Sequence, residues 1–193
     1  MFNPNYSKLA LVLTACVCVT LTVPHFFIEK VEATPPYFDG SIQSDYDCMV
    51  EAIYYEAGNQ PFIGKIAVGI VVINRVKDAR YPNTICDVVK QGPVYESWKT
   101  RNDKDLKQSE RIYYPVKHKC QFSWFCDGKS DVVRPTINWY KSQIIAMQIL
   151  KGKWSGIVEG ATHYHATWVS PEWRHELTYI GQAGDHLFYR WEK

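Results

Sequence analysis

Two apolar runs separated by a short polar break dominate the chain just after residue 44. In the first, Met49, Val50, Ile53, Tyr54 and Ala57 recur at helical spacing and predict a helix over about Asp45–Ala57. Ser44 is placed to cap its start, with Asp47 at the third position as a shortened capping box. Gly58 suits the left-handed position just past its end. Pro61 to Gly64 reads as a turn. The second run, Ile66, Ala67, Val68, Ile70, Val71, Val72 and Ile73, is apolar on every side. A helix from about Ile63 to Lys77 must then be buried over most of its surface.

Beyond it the pattern predicts a loop over Arg80–Thr84 and a short helix near Ile85–Lys90. Gln91 to Glu110 is polar with mixed charge and no period, which predicts a solvated insertion. Pro135-Thr136 starts a third helix, about Thr136–Lys151, with Ile137, Tyr140, Ile144, Ile145 and Ile149 as its apolar positions. Pro171 opens a shorter helix carrying Trp173 and Leu177. Tyr179–Gln182 and Leu187–Trp191 bracket Ala183-Gly184-Asp185-His186, the pattern of a β-hairpin. The expected class is α+β, mainly α, in a single domain with a small sheet.

The N-terminal pattern is different. Leu9 to Ile28 is almost uncharged, with Lys8 before it and Glu29-Lys30 after it. Three readings compete: an export signal cleaved after Ala33 in Val31-Glu32-Ala33, an uncleaved signal anchor, and a lipoprotein signal around Leu13-Thr14-Ala15-Cys16. Pro24 and His25 count against the anchor, and the long apolar stretch past Cys16 counts against the lipoprotein. Pro35-Pro36 and Gly40 mark a linker. The expected organisation is an export segment over 1–33, a linker over 34–44 and a catalytic domain over 45–193. Membrane association would arise only through an uncleaved N-terminal segment.

Export changes how the cysteines read. Cys16 and Cys18 lie in the export segment, leaving Cys48, Cys86, Cys120 and Cys126, an even set that suggests two disulfides. Of the three possible pairings, Cys120–Cys126 closes a short aromatic loop and Cys48–Cys86 ties the first helix to the segment after its neighbour. A zinc site is weakly supported, because no Cys-x-x-Cys pair occurs. The formal net charge of +2 excludes a strong nucleic-acid footprint. Seven Trp and thirteen Tyr in 193 residues suit sugar stacking and core filling equally.

Glu56 is the residue that most needs explaining. It sits in the last turn of the first expected helix, between Tyr54-Tyr55 and Ala57-Gly58. The helix dipole and partial burial both disfavour its ionised form, so its pKa should rise. A carboxylic acid protonated near neutrality is what a general acid requires.

Four segments carry a resemblance: Cys48–Val76, Arg80–Cys86, Cys120–Gly128 and Ala161-Thr162-His163-Tyr164-His165-Ala166. Their order and spacing, from about Asp45 to Tyr189, resemble the SleB/CwlJ-type cell-wall hydrolases, which include spore-cortex-lytic enzymes with relatives in Gram-negative bacteria and phages. The resemblance implies a lysozyme-like, lytic-transglycosylase-like domain that cleaves peptidoglycan, with Glu56 as catalytic acid. One departure stands out: Glu56-Ala57-Gly58-Asn59 replaces the Glu-Ala-Arg-Gly usual in spore enzymes.

Glycosidases usually need two carboxylates, and neither Glu51 nor Asp127 has a clear claim to be the second. A lone acid suffices for a lytic transglycosylase, in which the C6 hydroxyl of N-acetylmuramic acid is the nucleophile. The expected partner is therefore the glycan strand of peptidoglycan, with no cofactor, no nucleic acid and a monomeric protein. Tyr55, Gln121, Ser123, Trp124, Tyr164, His163 and His165 are the expected substrate-binding residues. Gln121 and Ser123 are the better candidates on their loop, because Trp124 and Phe125 suit packing as well. Two alternatives remain open. His163 and His165 share a strand face and, with Glu56 or His175, could hold zinc in a peptidoglycan amidase. The domain could also be a non-catalytic wall-binding module. An exported single-domain lysin of this kind suits cell lysis or a Gram-negative envelope.

Overall fold

The structure, a computed structural model, describes residues 40–133 and 135–192, with the backbone alone for Gly40–Ser44. The expected export segment and the linker up to residue 39 lie outside the described residues. Among the described residues no helix is long and apolar enough to cross a membrane.

Helix α1 spans Gly40–Ala57 and α2 spans Phe62–Val76. α1 begins five residues before the expected start, so Ser44 lies inside the helix and does not cap it. Its end also differs from expectation. Gly58 is not among the residues with positive φ. Instead the Lys65 ammonium donates to the carbonyls of Ala57, at 2.7 Å, and Gly58. A cation from the next helix thus satisfies the last carbonyls of α1 and opposes the negative end of its dipole.

The apolar surface of α2 divides between two cores. Ile66, Ile70 and Val72 join Met49, Val50, Ile53, Ile145 and Ile149 in a helical core. Ala67, Val68 and Val71 join Ala57, Ala161, Ala183 and Phe188 beneath the sheet. Each fully buried aliphatic side chain stabilises this arrangement by about 1.5–3 kcal/mol. A Cβ on Gly69 would lie 2.5 Å from Ile149 Cδ1 and 3.1 Å from Ile53 Cδ1, so α2 can sit this close to its neighbours only with glycine there.

α3 (Ile85–Val89) is capped by Thr84, whose hydroxyl accepts from the Asp87 N–H. The Cys48–Cys86 disulfide ties it to α1. The stretch expected to be a solvated insertion is instead organised. β1 (Val94–Glu96) pairs antiparallel with β2 (Tyr113–Pro115), with α4 (Trp98–Arg101) and one 3-10 turn between them. Both strands have only three residues and expose aromatic side chains, so no period marks them. The Cys120–Cys126 disulfide closes the loop that follows.

α5 (Ile137–Leu150) starts at the Thr136 cap, which accepts from the Trp139 N–H. Ile145 and Ile149 are buried as expected, but Ile137, Tyr140 and Ile144 face outward. Ser142 and Ala146 occupy the buried face with them, and the small side chains let the helix pack closely.

β3 (Ala161–Ala166), β4 (Thr178–Ala183) and β5 (His186–Arg190) form an antiparallel sheet in the order β3-β5-β4. Pro171 introduces one 3-10 turn, Glu172–His175, which leaves out Leu177. The hairpin expected between β4 and β5 is present, with Gly184 at φ +61° opening a two-residue turn. Buried Gln60 fastens that turn to the α1–α2 junction: the Asp185 N–H donates to its Oε1, and its Nε2 donates to Asp185 Oδ2. The result is the expected α+β, mainly helical domain, with the end of α1 held between α2 and the sheet.

Candidate active site

Glu56 enters the site from the last turn of α1 and is partly exposed, although protein surrounds most of its carboxyl. Burial raises its pKa above the ordinary 4.5. Two neighbours act the other way: the Tyr164 hydroxyl donates to Oε2 at 2.9 Å, and the Arg75 guanidinium attracts the ionised form. The upward shift expected from the sequence is therefore present, but desolvation causes it, and Lys65 opposes the expected dipole contribution.

Tyr164 lies on β3 opposite Phe188 of β5 and is itself held neutral, its pKa raised well above 10 by burial first and then by Glu56. Its phenol can donate to Glu56 in either charge state of the carboxyl.

Arg75 is the residue that sequence reasoning missed. It ends the apolar face of α2 and is only 5% exposed. Its Nε donates to the Thr162 carbonyl at 2.8 Å, while Asn74 Nδ2 donates to the carbonyls of Val158 and Ala161. Together these bonds fix the start of β3 against α2. The guanidinium lies 5.4 Å from the ring centres of both Tyr81 and Phe122. A charged residue within a buried helical run was the available signal.

His163 and His165 both approach the Trp173 ring, as their spacing on one strand face predicts. Burial, then Arg75 and Arg80, lower the His163 pKa to about 4, so its ring is neutral near pH 7. Its Nδ1 lies 3.0 Å from the Thr162 hydroxyl. His165 is buried, and both of its ring nitrogens are engaged. Nδ1 donates to the Ala166 carbonyl, and Nε2 pairs with the Tyr189 hydroxyl at 3.1 Å. Among the described residues no group of three or more His, Cys, Asp or Glu has metal-binding geometry.

The remaining expected residues gather on the disulfide loop and the adjacent face of α1. Tyr55 stacks on Trp124 with ring centres 4.6 Å apart, and its hydroxyl donates to the Asp131 carbonyl. Trp124 is buried and stacked on Tyr55, and Gln121 and Ser123 are exposed. Phe122, buried between those two, meets the Arg75 guanidinium and so connects this group to the Glu56 group.

A cavity of about 910 Å³ lies nearby, lined by Asn74, Lys77, Arg80, Thr162, Arg190 and Trp191 among others. Glu56 is not part of its wall. The charges there are largely paired, Arg80 with Asp78 and Arg190 with Glu192.

Comparison with known proteins agrees with this fold. The catalytic domain of the Bacillus cereus SleB protein superposes with a TM-score of 0.51 at 23% identity, covering 79% of this chain and 94% of that domain. The catalytic domain of the germination-specific lytic transglycosylase SleB from Bacillus anthracis gives 0.52 at 22% identity, covering 80% and 100%. The family model for Cell Wall Hydrolase matches residues 59–189, and the chain belongs to that family. Among curated proteins, a spore cortex-lytic enzyme of Bacillus cereus is 39% identical over 51 residues, or 26% of this chain and 20% of that protein. One from Oceanobacillus iheyensis is 32% identical over 71 residues, 34% and 26% respectively. The chain thus spans only about a fifth to a quarter of the length of these curated relatives. Glu56 lies just before the stretch matched by the family model, so its role is argued from its surroundings.

Proposed function

We propose that the protein is a lytic transglycosylase that cleaves the glycan backbone of peptidoglycan, with Glu56 acting first as general acid and then as general base. One observation carries the reading: a carboxyl whose pKa burial raises, with the Tyr164 phenol and the Arg75 guanidinium as the groups acting on it and neither of them a carboxylate. Glu51 interacts instead with Asp47, Asp131 and Lys90. Cleavage at such a site needs a nucleophile from the substrate. Protonated Glu56 gives its proton to the glycosidic oxygen as the bond to C1 of the muramic residue breaks. The C6 hydroxyl of that residue then attacks C1, and the Glu56 carboxylate takes the hydroxyl proton. The products are a 1,6-anhydromuramic end and a free 4-hydroxyl, with no water consumed.

The cell-wall hydrolase family and the SleB relatives support a peptidoglycan substrate. The amidase alternative is less well supported, because both ring nitrogens of His165 already have partners. Two disulfides fit an exported protein, with residues 1–33 as the export segment and a role in lysis or envelope remodelling.

The test is to incubate the full chain with purified peptidoglycan in ¹⁸O-water, with and without a chelator, and to identify soluble fragments by mass spectrometry. Anhydromuramic ends formed in chelator without ¹⁸O are expected. Reducing ends carrying ¹⁸O would replace this reading with hydrolysis. Free peptides released only when metal is present would overturn the assignment of Glu56 altogether.

A further inference from the structure

Where α1 ends and α2 begins, two lysines meet with no acid to answer them. Lys65 is 2% exposed, and its ammonium donates to the carbonyls of Ala57 and Gly58. An ammonium has three donors, so one is left over. Lys141, an exposed residue of α5, is close enough that its charge adds to burial in lowering the Lys65 pKa. Among the described residues neither lysine has an ion pair, and the Lys141 ammonium has no hydrogen bond. Closing the end of α1 requires only Lys65. A second cation beside a buried first one raises the cost of that burial unless an anion lies between them.

Both lysines line one cavity of about 450 Å³, together with Asn59, Phe62 and Asn138 among others. No Asp or Glu is among the described residues of its wall. Asn59 Oδ1 accepts from Gln60 Nε2, which leaves the Asn59 amide nitrogen as a spare donor. The Asn138 amide also has no partner among the described residues. α2 opens on this wall at Phe62 without a side-chain cap, so the positive end of its dipole adds to the attraction for an anion. The Phe62 ring, 54% exposed, contributes an apolar surface. Cations, neutral donors and one ring together suit a carboxylate attached to a small alkyl group better than a bare inorganic anion.

We propose that this cavity binds the free carboxylate of a short peptide carried on a peptidoglycan strand, with Lys65 and Lys141 as its charge partners, Asn59 and Asn138 as neutral donors and Phe62 against the adjoining alkyl side chain. The choice of ligand rests on the peptidoglycan reading above. Gly58, in the same wall, follows Glu56 by two residues, so the cavity adjoins the helix end that supplies the acid.

The experiment titrates the full chain with a short wall peptide ending in D-alanine, its terminus free or amidated, and reads the backbone amide shifts of Gly58, Asn59 and Phe62 by NMR. Saturable shifts are expected with the free acid, and amidation should weaken binding roughly tenfold to a hundredfold, the size of one charge-assisted hydrogen bond. Lys141→Gln should weaken binding of the free acid about twofold to fivefold, the range of an exposed ion pair. Lys141→Glu should remove the preference for the free acid. Both variants change an exposed side chain without hydrogen bonds, whereas Lys65 is left intact because it also holds the end of α1. Acetate and inorganic phosphate, each titrated alone, should bind more weakly than the peptide. Equal binding of either ion, equal binding of the amidated peptide, or no binding at all would overturn this proposal. Release of glycan fragments by the same preparation separates the two readings. Cleavage without peptide binding overturns this proposal alone, and peptide binding without cleavage supports the site while the lytic reading fails.

Discussion

At Glu56 three elements converge on one carboxyl: α1 supplies it, β3 brings Tyr164 and α2 brings Arg75. The ribbon from Val94 to Pro115 is assembled differently. Tyr95 and Tyr114 pair across its strands with ring centres 5.9 Å apart, and both remain exposed, as does Trp98. Arg111 makes the most side-chain bonds there, donating to Glu96 and to the carbonyls of Thr100, Asp103 and Leu106. The first region holds few polar groups in surroundings that magnify each of them. The second spreads its polar bonds over a half-buried ribbon at the surface, where each counts for less. Substitutions at the first should therefore change chemistry without unfolding the protein, and those at the second should loosen the chain without changing chemistry.

Glu56→Gln is the strongest test of this contrast. It preserves shape and the contact with Tyr164 but removes the proton that can be given and taken back. Turnover on peptidoglycan should fall by about 10²–10⁴-fold, the usual contribution of general acid–base catalysis. The melting temperature should hold or rise slightly, because a carboxyl whose ionised form is disfavoured has been replaced. A variant that retained wild-type turnover would move the chemistry away from α1.

The two disulfides contrast the regions in stability. Cys48 and Cys86 are 38 residues apart and Cys120 and Cys126 are 6 apart, so closing the first loop restricts the unfolded chain more. By loop-closure entropy, replacing Cys48 and Cys86 by Ala should cost about 4 kcal/mol, and replacing Cys120 and Cys126 about 2 kcal/mol. Denaturant titration of each double variant checks the order. Equal losses would mean that strain or residual structure outweighs loop length.

How much of this could be read in advance follows from the same contrast. α2 was legible because burial on all sides leaves an uninterrupted apolar run, and the β4–β5 hairpin because Gly184 punctuates it. The upward pKa shift of Glu56 was legible from its local setting, and both disulfide pairings were anticipated. Arg75, Asn74 and Lys65 were not, since each acts on carbonyls or charges brought near by folding. The ribbon was missed for the opposite reason: three-residue strands exposed on both faces have no period to detect. On α5 the apolar pattern alone does not tell the buried Ile145 and Ile149 from the exposed Ile137, Tyr140 and Ile144.

Tyr164→Phe gives a smaller effect with a definite sign. The lost hydrogen bond lowered the Glu56 pKa, so the variant's acid should titrate higher still. The alkaline limb of the pH–rate profile should move upward. Stability follows by linkage. A carboxyl whose folded pKa is raised contributes stability present below the unfolded value of about 4.5 and lost as pH rises through the folded value. His163, with a folded pKa of about 4 against 6.5, takes stability away as pH falls between those values. Comparing variant and wild type well above pH 6.5, where His163 is neutral in both states, isolates the Tyr164 effect. There the variant should be the less stable, and an alkaline limb that moved downward would mean that Tyr164 does not stabilise the carboxylate.

Arg111→Ala is the mildest change and addresses the ribbon directly. Its guanidinium is the shared donor for Glu96 and three carbonyls, so the backbone from Thr100 to Leu106 loses partners at once. Because these half-buried bonds lie at the rim of the domain, away from its two cores, global stability should fall only modestly. Local opening should nevertheless increase, with faster amide exchange over residues 97–110 and preferential trypsin cleavage at Lys99, Arg101, Lys104 or Lys107. Turnover on short glycan fragments should be unchanged, because none of these bonds reaches Glu56. Loss of turnover with intact folding would show that the ribbon and the acid work as one site.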